Sequence, residues 1–394
     1  MRRLIAAFTL LLSVGLLITA CDSGFTGSND TPEERLGEES SRSKHQIAPH
    51  SVLSGRNSAG LLGVKKNHAP GPPAASGNGF ETPLFGLATA PNGDILVADA
   101  GAGVATLSGA TDIPLPGITD MSPLGRGTMW ATEGLTGEPG EDTGQGLYRA
   151  SKGKNRLIAD LFAFEENQNP DGAEFIDSNP FDVQSLGGQA ALVADAGGND
   201  LLRIDNQGNI EVLAVFPDEP VPTANIKSLF GCPEGPPSIC KELPEMLPAQ
   251  AVPTSIAVGP DGYYYVGELK GFPAPTGASN IWKVDPDASG AMCPNPNCQK
   301  VFDGGFTSVI DLRFDESGTL HVLELEENSW FALELDPPQI AGGTINACDP
   351  GAGTCSEVAT GIPILTAITF GTDGTLWATK NALIPDQADV VEVP

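Results

Sequence analysis

One short pattern recurs six times along the body of the chain and restricts the fold more than any other feature. Each copy has an apolar strand, a turn that contains glycine, and a second strand that ends in a charged residue. The copies begin at Gly86, Thr119, Phe181, Thr254, Ile310 and Ala367. Asn-Gly and Asp-Gly turns between apolar strands are strong hairpin signals, because these residues tolerate a positive φ. Several copies continue into a third and a fourth strand, which is typical of a propeller blade.

The repeats predict an all-β fold, a six-bladed β-propeller of four-stranded antiparallel blades, over residues 81–394. One four-stranded sheet cannot cover both of its faces, and radial stacking of the copies in a ring does so. The chain has 48 glycines and 34 prolines, and only 6% of its residues are aromatic. This composition agrees with many short strands joined by tight turns and not with long helices.

The first residues have the pattern of an export signal. Two arginines precede an apolar stretch that ends at Ile18, and small residues follow up to Cys21. The stretch is too short for a permanent membrane helix, so we interpret residues 1–20 as a signal peptide. Ile18 to Cys21 resembles the bacterial lipobox, which predicts lipidation of Cys21 and a membrane-anchored lipoprotein in the periplasm or at the cell surface. The alternative is ordinary cleavage near Ala20 with an unmodified cysteine.

Between the signal and the first repeat, the composition predicts a flexible tether. Residues 21–80 are rich in Ser, Gly, Asn, Pro and charged side chains, which sustain neither a helix nor a sheet. The last repeat stops after its third strand, so the ring needs an outer strand from before residue 82. We expect residues 61–64 to supply it.

The cysteines also indicate export. Apart from Cys21, six cysteines form three local couples, eight, five and seven positions apart. The couples are Cys232 and Cys240, Cys293 and Cys298, and Cys348 and Cys355. Fifteen connectivities exist, but pairing of neighbours closes the shortest loops at the lowest entropic cost. We therefore predict three local disulfides, which persist outside the reducing cytosol. A zinc site is the alternative, disfavoured because the chain has no Cys-x2-Cys doublet and no histidine near these cysteines.

The chain is strongly acidic, with 50 Asp and Glu against 21 Lys and Arg and a net charge of −29. Such a surface repels phosphate backbones, so nucleic acid is excluded as an expected partner. It attracts cations and basic partners and favours a soluble monomer. Besides the membrane, we expect an unidentified protein or small-molecule ligand.

Aligning the six copies places charged side chains at equivalent positions. The second strands end in Asp99, Glu133, Asp195, Glu268, Glu324 and Lys380. A second set, in the innermost strands, is Asp120, Asp182 and Asp311. In propellers such positions lie towards one mouth of the channel, where carboxylates repel one another unless a cation or protons lie among them.

Two interpretations of these acids follow. Ligands that are all oxygen suit Ca2+, which predicts an axial calcium site. Alternatively, the acids accept hydrogen bonds from backbone N–H groups between blades, and Lys380 serves as an internal counter-ion.

Catalytic motifs are scarce. The sequence contains no His-Glu-x-x-His, no Gly-x-Ser-x-Gly and no phosphate loop. The histidine within the repeats, His321, lies mid-strand, and we interpret it as a packing residue. The leading hypothesis is a binding or scaffold module that holds a ligand or partner at one mouth of the channel. The alternative is a Ca2+-dependent hydrolase or lyase, similar to a lactonase, with carboxylate ligands in the channel.

Four longer strings in the body resemble the ScyD/ScyE family of NHL-type propellers. They are Asn169–Gly172, Asp177–Phe181, Val193–Arg203 and Val266–Pro273. The resemblance covers residues 82–394 and implies a secreted propeller without established catalytic residues. The six body cysteines and the insertion at 218–252 depart from it.

Overall fold

The computed structural model describes residues 79–394, which form an all-β propeller of six blades. The predicted fold class is thereby confirmed. The predicted signal peptide, Cys21, the tether up to residue 78 and the closing strand at residues 61–64 lie outside the described residues. Among residues 79–394, no helix is both long and apolar enough to cross a membrane.

The first two blades are four-stranded antiparallel sheets, and blade 3 has four antiparallel strands that a short fifth strand extends. Blade 1 contains β1 (Leu84–Thr89), β2 (Ile95–Asp99), β3 (Gly103–Thr106) and β4 (Thr111–Pro114). Blade 2 contains β5 (Ile118–Gly125), β6 (Thr128–Glu133), β7 (Gly146–Ser151) and β8 (Lys154–Asp160). Blade 3 contains β9 (Pro180–Ser185), β10 (Ala190–Asp195), β11 (Asp200–Asp205) and β12 (Ile210–Val215).

A hairpin of β13 (Glu219–Pro222) and β14 (Met246–Ala249) separates blade 3 from blade 4. Blade 4 contains β15 (Pro253–Val258), β16 (Tyr264–Glu268), β17 (Ser279–Val284) and β19 (Cys298–Phe306). The short β18 (Ala291–Met292) extends blade 3 by pairing in parallel with β12. Blade 5 contains β20 (Val309–Phe314), β21 (Leu320–Glu324), β22 (Gly343–Asp349) and β23 (Thr354–Ile362). Blade 6 contains β24 (Ile368–Phe370), β25 (Leu376–Lys380) and β26 (Asp389–Glu392).

Within residues 79–394, four short helices occur in the connections between strands. They are α1 (Leu161–Gln168), α2 (Ala224–Leu229), a π-helix at Ser238–Glu242 and a 3-10 helix at Trp330–Leu333. Helix α1 joins blade 2 to blade 3, whereas α2 and the π-helix lie within the insertion before blade 4. The 3-10 helix lies within blade 5, in the connection between β21 and β22, so each of the four helices occupies a connection and leaves the sheets intact.

The hairpins at the start of the blades form because their turns contain glycine with a left-handed backbone. Gly93, between β1 and β2, has φ of 91°, and Gly262, between β15 and β16, has φ of 82°. Glycine adopts this conformation without the steric cost that a Cβ imposes. The turns thus reverse the chain within each repeat, as the sequence predicts.

The ring closes where blade 6 meets blade 1. The hydroxyl of Thr366, just before β24, donates to the carbonyl oxygen of Leu84 at 2.7 Å. The N–H of Leu84 donates to the carbonyl oxygen of Ala382 at 2.9 Å. The innermost strands therefore surround a central channel; they are β1, β5, β9, β15, β20 and β24.

Apolar side chains fill the spaces between neighbouring blades. Trp130 of blade 2 is fully buried and packs with residues of blade 3. Trp282 of blade 4 is also fully buried and packs against the other face of blade 3. Trp377 of blade 6 lies half-buried against blade 1. These tryptophans belong to the core, which agrees with radial stacking as the means by which each sheet is covered.

All three predicted disulfides are confirmed. Cys232 bonds to Cys240, Cys293 to Cys298, and Cys348 to Cys355. The first closes a loop of the insertion before blade 4, and the third joins β22 to β23 across blade 5. Three disulfides indicate an oxidising environment, as found outside the cytosol.

Removing the disulfide of blade 5 should destabilise the propeller measurably. A Cys348→Ala, Cys355→Ala double variant should lose about 2 kcal/mol of unfolding free energy, because a loop of this length is no longer constrained in the unfolded chain. Denaturant unfolding under non-reducing conditions measures the loss. Ser356→Ala, at an exposed neighbour on the same strand, is the matched control and should change it by less than about 0.5 kcal/mol. Identical midpoints for the wild type and the double variant would contradict the expectation.

Blade 6 has three strands within the described residues. That residues 61–64 supply its fourth, outer strand therefore stays a prediction. Deletion of residues 45–75 should lower the melting temperature sharply, because the outer strand of blade 6 would be lost. Deletion of residues 22–44, the remainder of the predicted tether, should leave the melting temperature unchanged. Circular dichroism during heating distinguishes the two deletions, and an unaltered melting temperature after the first one would refute the prediction.

Candidate functional site

The charged residues that end the second strands occupy equivalent places around the ring. In five blades they pair with the first residue of the innermost strand: Asp99 with Leu84, Glu133 with Ile118, Asp195 with Pro180, Glu268 with Pro253, and Glu324 with Val309. Lys380 ends β25 and lies opposite Asp389 of β26. The alignment of the copies therefore corresponds to a structural repeat at one end of the channel.

These acids bind groups close to them and do not meet at the axis. Asp195 Oδ1 accepts hydrogen bonds from three backbone N–H groups at 2.6–3.1 Å, and its Oδ2 accepts one from the Ser178 hydroxyl at 2.6 Å. Asp99 accepts from the N–H groups of Glu81 at 2.7 Å and Gly101 at 3.1 Å. Both carboxylates hold the loops beside their strands in place.

Two glutamates of the set likewise have partners in or beside their own blade. Glu324 accepts from the N–H of Thr307 at 2.5 Å and from the Asn346 amide at 2.7 Å. Burial raises the pKa of Glu324 to about 7. Burial also raises the pKa of Glu133, which is hydrogen-bonded to Tyr148. These side chains satisfy local backbone and amide groups.

Glu268 belongs to a buried ionic network in blade 4. Lys270 is fully buried, and its Nζ lies 2.9 Å from Glu268 and 2.7 Å from Glu219 of β13. Lys300 also binds Glu219, at 2.5 Å. Burial opposes the ionisation of Glu219, yet hydrogen bonds from Lys270 and Lys300 lower its pKa to about 2. The network fastens the insertion before blade 4 to the propeller.

The second set of acids does meet at the channel axis. Asp120, Asp182 and Asp311 are each 4% exposed, and they enclose a cavity of about 10 Å³ together with Arg313. This volume is close to the minimum that one water molecule needs. Next to it, the rings of Phe85 and Phe181, which also line the cavity, lie 5.7 Å apart. Side chains therefore close the channel at this depth.

The three aspartates accept hydrogen bonds from the innermost strand of the next blade. Asp120 accepts from the N–H of Val183 at 3.4 Å, and Asp182 accepts from that of Ile256 at 2.5 Å. Asp311 accepts from the N–H of Ile368 at 2.8 Å. These are the inter-blade hydrogen bonds that the structural interpretation of the acids requires.

Arg313 supplies the positive charge at the axis. Its guanidinium lies 3.7 Å from Asp311 and also donates to the carbonyl oxygens of Ile368 and Leu87, both at 3.3 Å. Although burial opposes its ionisation, the charges of Asp311 and its neighbours raise the pKa of Arg313. Arginine therefore remains the cation of the cluster at every physiological pH.

Protons neutralise part of the remaining negative charge. Burial, and then the charge of Asp182, raises the pKa of Asp120 well above its usual range. Burial raises the pKa of Asp311 to about 7, although Arg313 opposes the rise. One oxygen each of Asp120 and Asp182 is buried without a hydrogen-bond partner. A proton held by Asp120 gives these oxygens a partner, since the two side chains are within hydrogen-bonding reach.

The axis is a poor fit for a calcium ion. Arg313 already lies among the aspartates, and the cavity has room for about one water molecule. Within residues 79–394, no group of three or more acidic, histidine or cysteine side chains is spaced to hold a metal ion. The axial calcium site remains a prediction from sequence that these contacts do not favour.

The sequence patterns above do not identify two cations, the partly buried Arg313 and the fully buried Lys270. Arg313 follows Asp311 by two positions on β20, so both side chains lie on the same face of the strand. Lys270 follows Glu268 by two positions in the same way, just beyond β16. A basic residue two positions after an acidic one, in or just beyond a predicted buried strand, is the sequence pattern that identifies Arg313 and Lys270.

One mouth of the channel forms an open recess of about 250 Å³. The recess lies where the innermost strands end. Arg313 lines both the recess and the small axial cavity, so the two adjoin at that residue. Its lining combines hydroxyl, amide and aromatic side chains, among them Thr89, Ser122, Gln184 and Phe314. This recess can hold a small ligand or the protruding group of a partner.

Several solved structures are similar to this chain. Virginiamycin B lyase from Staphylococcus aureus has 16% sequence identity, with 81% of this chain and 86% of the lyase chain covered and a TM-score of 0.44. Regucalcin, a calcium-binding protein from Agrobacterium tumefaciens, has 16% identity, 78% and 85% coverage and a TM-score of 0.46. A gluconolactonase from Xanthomonas campestris has 11% identity, 80% and 88% coverage and a TM-score of 0.48.

These likenesses carry no argument about activity at such identities and TM-scores. No protein-family model matches the chain, and no curated protein matches its sequence. The fold assignment rests on the strand pairing of the chain itself.

Replacing Arg313 should test the electrostatics of the axis. Arg313→Met should lower the unfolding free energy by about 3–5 kcal/mol at pH 8, because it leaves buried carboxylates without a counter-charge. The loss should shrink at pH 4.5. The folded-state pKa of Asp311 lies above its unfolded value, so stability from its proton is present at low pH and is lost as the pH rises through about 7.

Denaturant unfolding at the two pH values measures this difference. Arg203→Met is the matched control, because Arg203 is half-exposed and pairs with Glu211 at 2.6 Å. It should cost about 1 kcal/mol or less at either pH. An equal loss at both pH values for Arg313→Met would show that packing, and not charge, is what the arginine contributes.

Proposed function

We propose that this protein is an exported propeller that binds a ligand or a protein partner at the recess of one channel mouth. The observation that carries the proposal is the closed axis: Asp120, Asp182, Asp311 and Arg313 leave about 10 Å³ between them. A substrate cannot reach carboxylates at that depth. The recess of about 250 Å³ lies at the mouth and is open to a ligand. Binding at the mouth is therefore favoured over chemistry inside the channel.

The partner is expected to carry basic groups on its surface outside the recess, because the one charged side chain that lines the recess is the cation Arg313. The chain has a net charge of −29, and such a field attracts cationic partners and speeds their association.

The proposed location of the protein outside the cytosol rests on the predicted export signal and on the three disulfides. We propose that lipidation of Cys21 holds the propeller at a membrane surface and that the chain is similar to ScyD/ScyE proteins in this exported role. More than one acyl chain on that cysteine would keep the protein at the membrane stably, since a single chain binds only weakly.

The alternative function is a Ca2+-dependent hydrolase or lyase acting in the channel. It requires an open route for the substrate and a metal with a vacant ligand position. Asp182 and Asp311 would be ligands in that case. The closed axis and the presence of Arg313 there argue against it.

Site-specific photo-crosslinking tests the binding proposal. A photo-crosslinking residue at Gln184, within the recess, should trap a defined partner in the cells that make the protein. The same residue at Glu138 should not, because Glu138 is exposed on the loop between β6 and β7 at the opposite end of the blade. Gln184→Trp should fill the recess and weaken binding of the trapped partner about tenfold, or about 1.4 kcal/mol, whereas Glu138→Trp should leave it unchanged.

A different result would assign the channel to catalysis. Purified chain, with and without Ca2+, should not hydrolyse a sugar lactone faster than buffer does. Turnover that depends on Ca2+ and disappears in Asp182→Asn would overturn the binding proposal, since that aspartate lies at the axis and not in the recess.

A further inference from the structure

A second group of acids lies in blade 3, away from the channel axis. Glu165 is on the buried side of α1, and Asp200 is the first residue of β11. Asp200 faces Asp195, the last residue of β10, directly across the antiparallel pair. Asp171 and Asp177, in the connection from α1 to β9, act electrostatically on Glu165. These five carboxylates come from α1, the connection after it, β10 and β11, and they influence one another electrostatically.

Two of these carboxylates are buried without any hydrogen-bond partner. Asp200 is 0% exposed, and both of its carboxylate oxygens lack a partner. Glu165 is 2% exposed, and its Oε1 also lacks one. An unpaired buried carboxylate costs several kcal/mol, so such groups are nearly always paired or bound to a metal. The contrast with Asp195 is clear, because four donors satisfy that side chain.

No positive side chain compensates the cluster. None of the ion pairs among residues 79–394 involves any of the five carboxylates. The charges acting on both groups are negative: those on Glu165 come from Asp195, Asp171 and Asp177, and those on Asp200 come from Asp195, Glu165 and Asp171. Burial and then Asp195 raise the pKa of Glu165 to about 9 and raise that of Asp200 well above its usual range. The cluster differs in this respect from the axis, where Arg313 is present.

The unpaired Glu165 Oε1 and the Asp195 carboxylate both lie beside Gly198, and Asp200 is the residue paired with Asp195 across the two strands. A Cβ on Gly198 would lie 2.7 Å from Glu165 Oε1 and 3.5 Å from Asp195 Cγ. The absence of that Cβ leaves room at the point where the carboxylates approach one another. Helix α1 fixes Glu165 there: Asp160 caps its first turn through the N–H of Ala163 at 2.9 Å.

We propose that Glu165 and Asp200 bind a Ca2+ ion in blade 3, beside Gly198. A hard cation with oxygen ligands suits a site that offers only carboxylates, amides and backbone carbonyls. Calcium binds six to eight oxygens. No three acidic side chains among residues 79–394 are spaced to hold a metal ion together, so the proposed site has two carboxylate anchors, and carbonyls, amides and water supply the other ligands. Asp171, which acts on both anchors and whose Oδ2 accepts from the Asn199 amide at 3.1 Å, completes the negative charge of the site.

The site explains why three of the longer sequence strings lie together in space. Asp171 belongs to the string Asn169–Gly172, and Asp177 begins the string Asp177–Phe181. Asp195 and Asp200 both belong to Val193–Arg203. The bound ion would tie these segments to α1, so it would act as a structural staple of blade 3 and of the loops beside it.

Calorimetry and thermal unfolding of the full, chelator-treated chain test the proposal with Ca2+ as the probe. Titration at pH 7.5 should show one bound ion, and Ca2+ at a hundredfold excess over its Kd should raise the melting temperature by about 5 °C. Asp200→Asn and, separately, Glu165→Gln should abolish both effects. Without Ca2+ these variants should melt at or above the wild-type temperature, because each replaces a carboxyl group that is buried among other acids with a neutral amide of similar shape.

Asp120→Asn is the matched control, since Asp120 is an equally buried aspartate at the axis. It should retain the Ca2+ heat and the Ca2+-dependent shift. Absence of heat and of a shift in the wild type would overturn the proposal and leave protons as the agents that neutralise the cluster. Loss of binding in Asp120→Asn with retention in Asp200→Asn and Glu165→Gln would overturn it too, by placing the ion at the axis.

Discussion

The ring depends on polar side chains that connect each innermost strand to the next. Every blade is a separate sheet, so no hydrogen-bonded ladder joins neighbouring blades at the axis, and the backbone groups there need other partners. Threonine and aspartate provide them. Three threonine hydroxyls donate at 2.7 Å to the carbonyl oxygen of the first residue in the following innermost strand; they belong to Thr119, Thr254 and Thr366. Three carboxylates accept hydrogen bonds from backbone N–H groups of the following innermost strand; they belong to Asp120, Asp182 and Asp311. These contacts cover five of the six junctions between blades. At the remaining one, Gly86 of blade 1 leaves the space that Asp120 occupies.

This way of closing the ring has a consequence for function. Three buried aspartates around one axis repel one another, and Arg313 together with bound protons makes the arrangement stable. The same side chains fill the channel. Binding is therefore expected at the channel mouth that contains the recess beside Arg313. The blade 3 cluster is a separate place, where a cation is still needed. Both groups consist mainly of aspartate and glutamate, and their roles differ because the axial group contains a base, Arg313, and the blade 3 group contains none.

Much of the fold could be predicted because it repeats. The hairpin turns at Gly93 and Gly262 and the equivalent acids at Asp99 and Glu324 follow from local sequence, since a turn and a strand are decided by adjacent residues. The disulfides were also predictable, because each joins cysteines eight residues apart or fewer. The candidate site was predicted only in part. The sequence singled out Asp120, Asp182 and Asp311, but Arg313 and Lys270 were missed, as was Glu165, which lies outside the repeats.

By itself the amino-acid sequence determined the propeller, the number of its blades, the pairing of its cysteines and the positions where acids recur. These are properties of short segments and of their periodicity, and hydrogen bonding within a segment is enough to fix them. Only the tertiary structure decided which acids share an environment. Whether a carboxylate meets an arginine, a backbone N–H or another carboxylate depends on residues distant in the chain, such as Glu165 and Asp200 from different elements. Burial makes that choice decisive, because the energy of a charge depends far more on its neighbours inside the protein than it does in water.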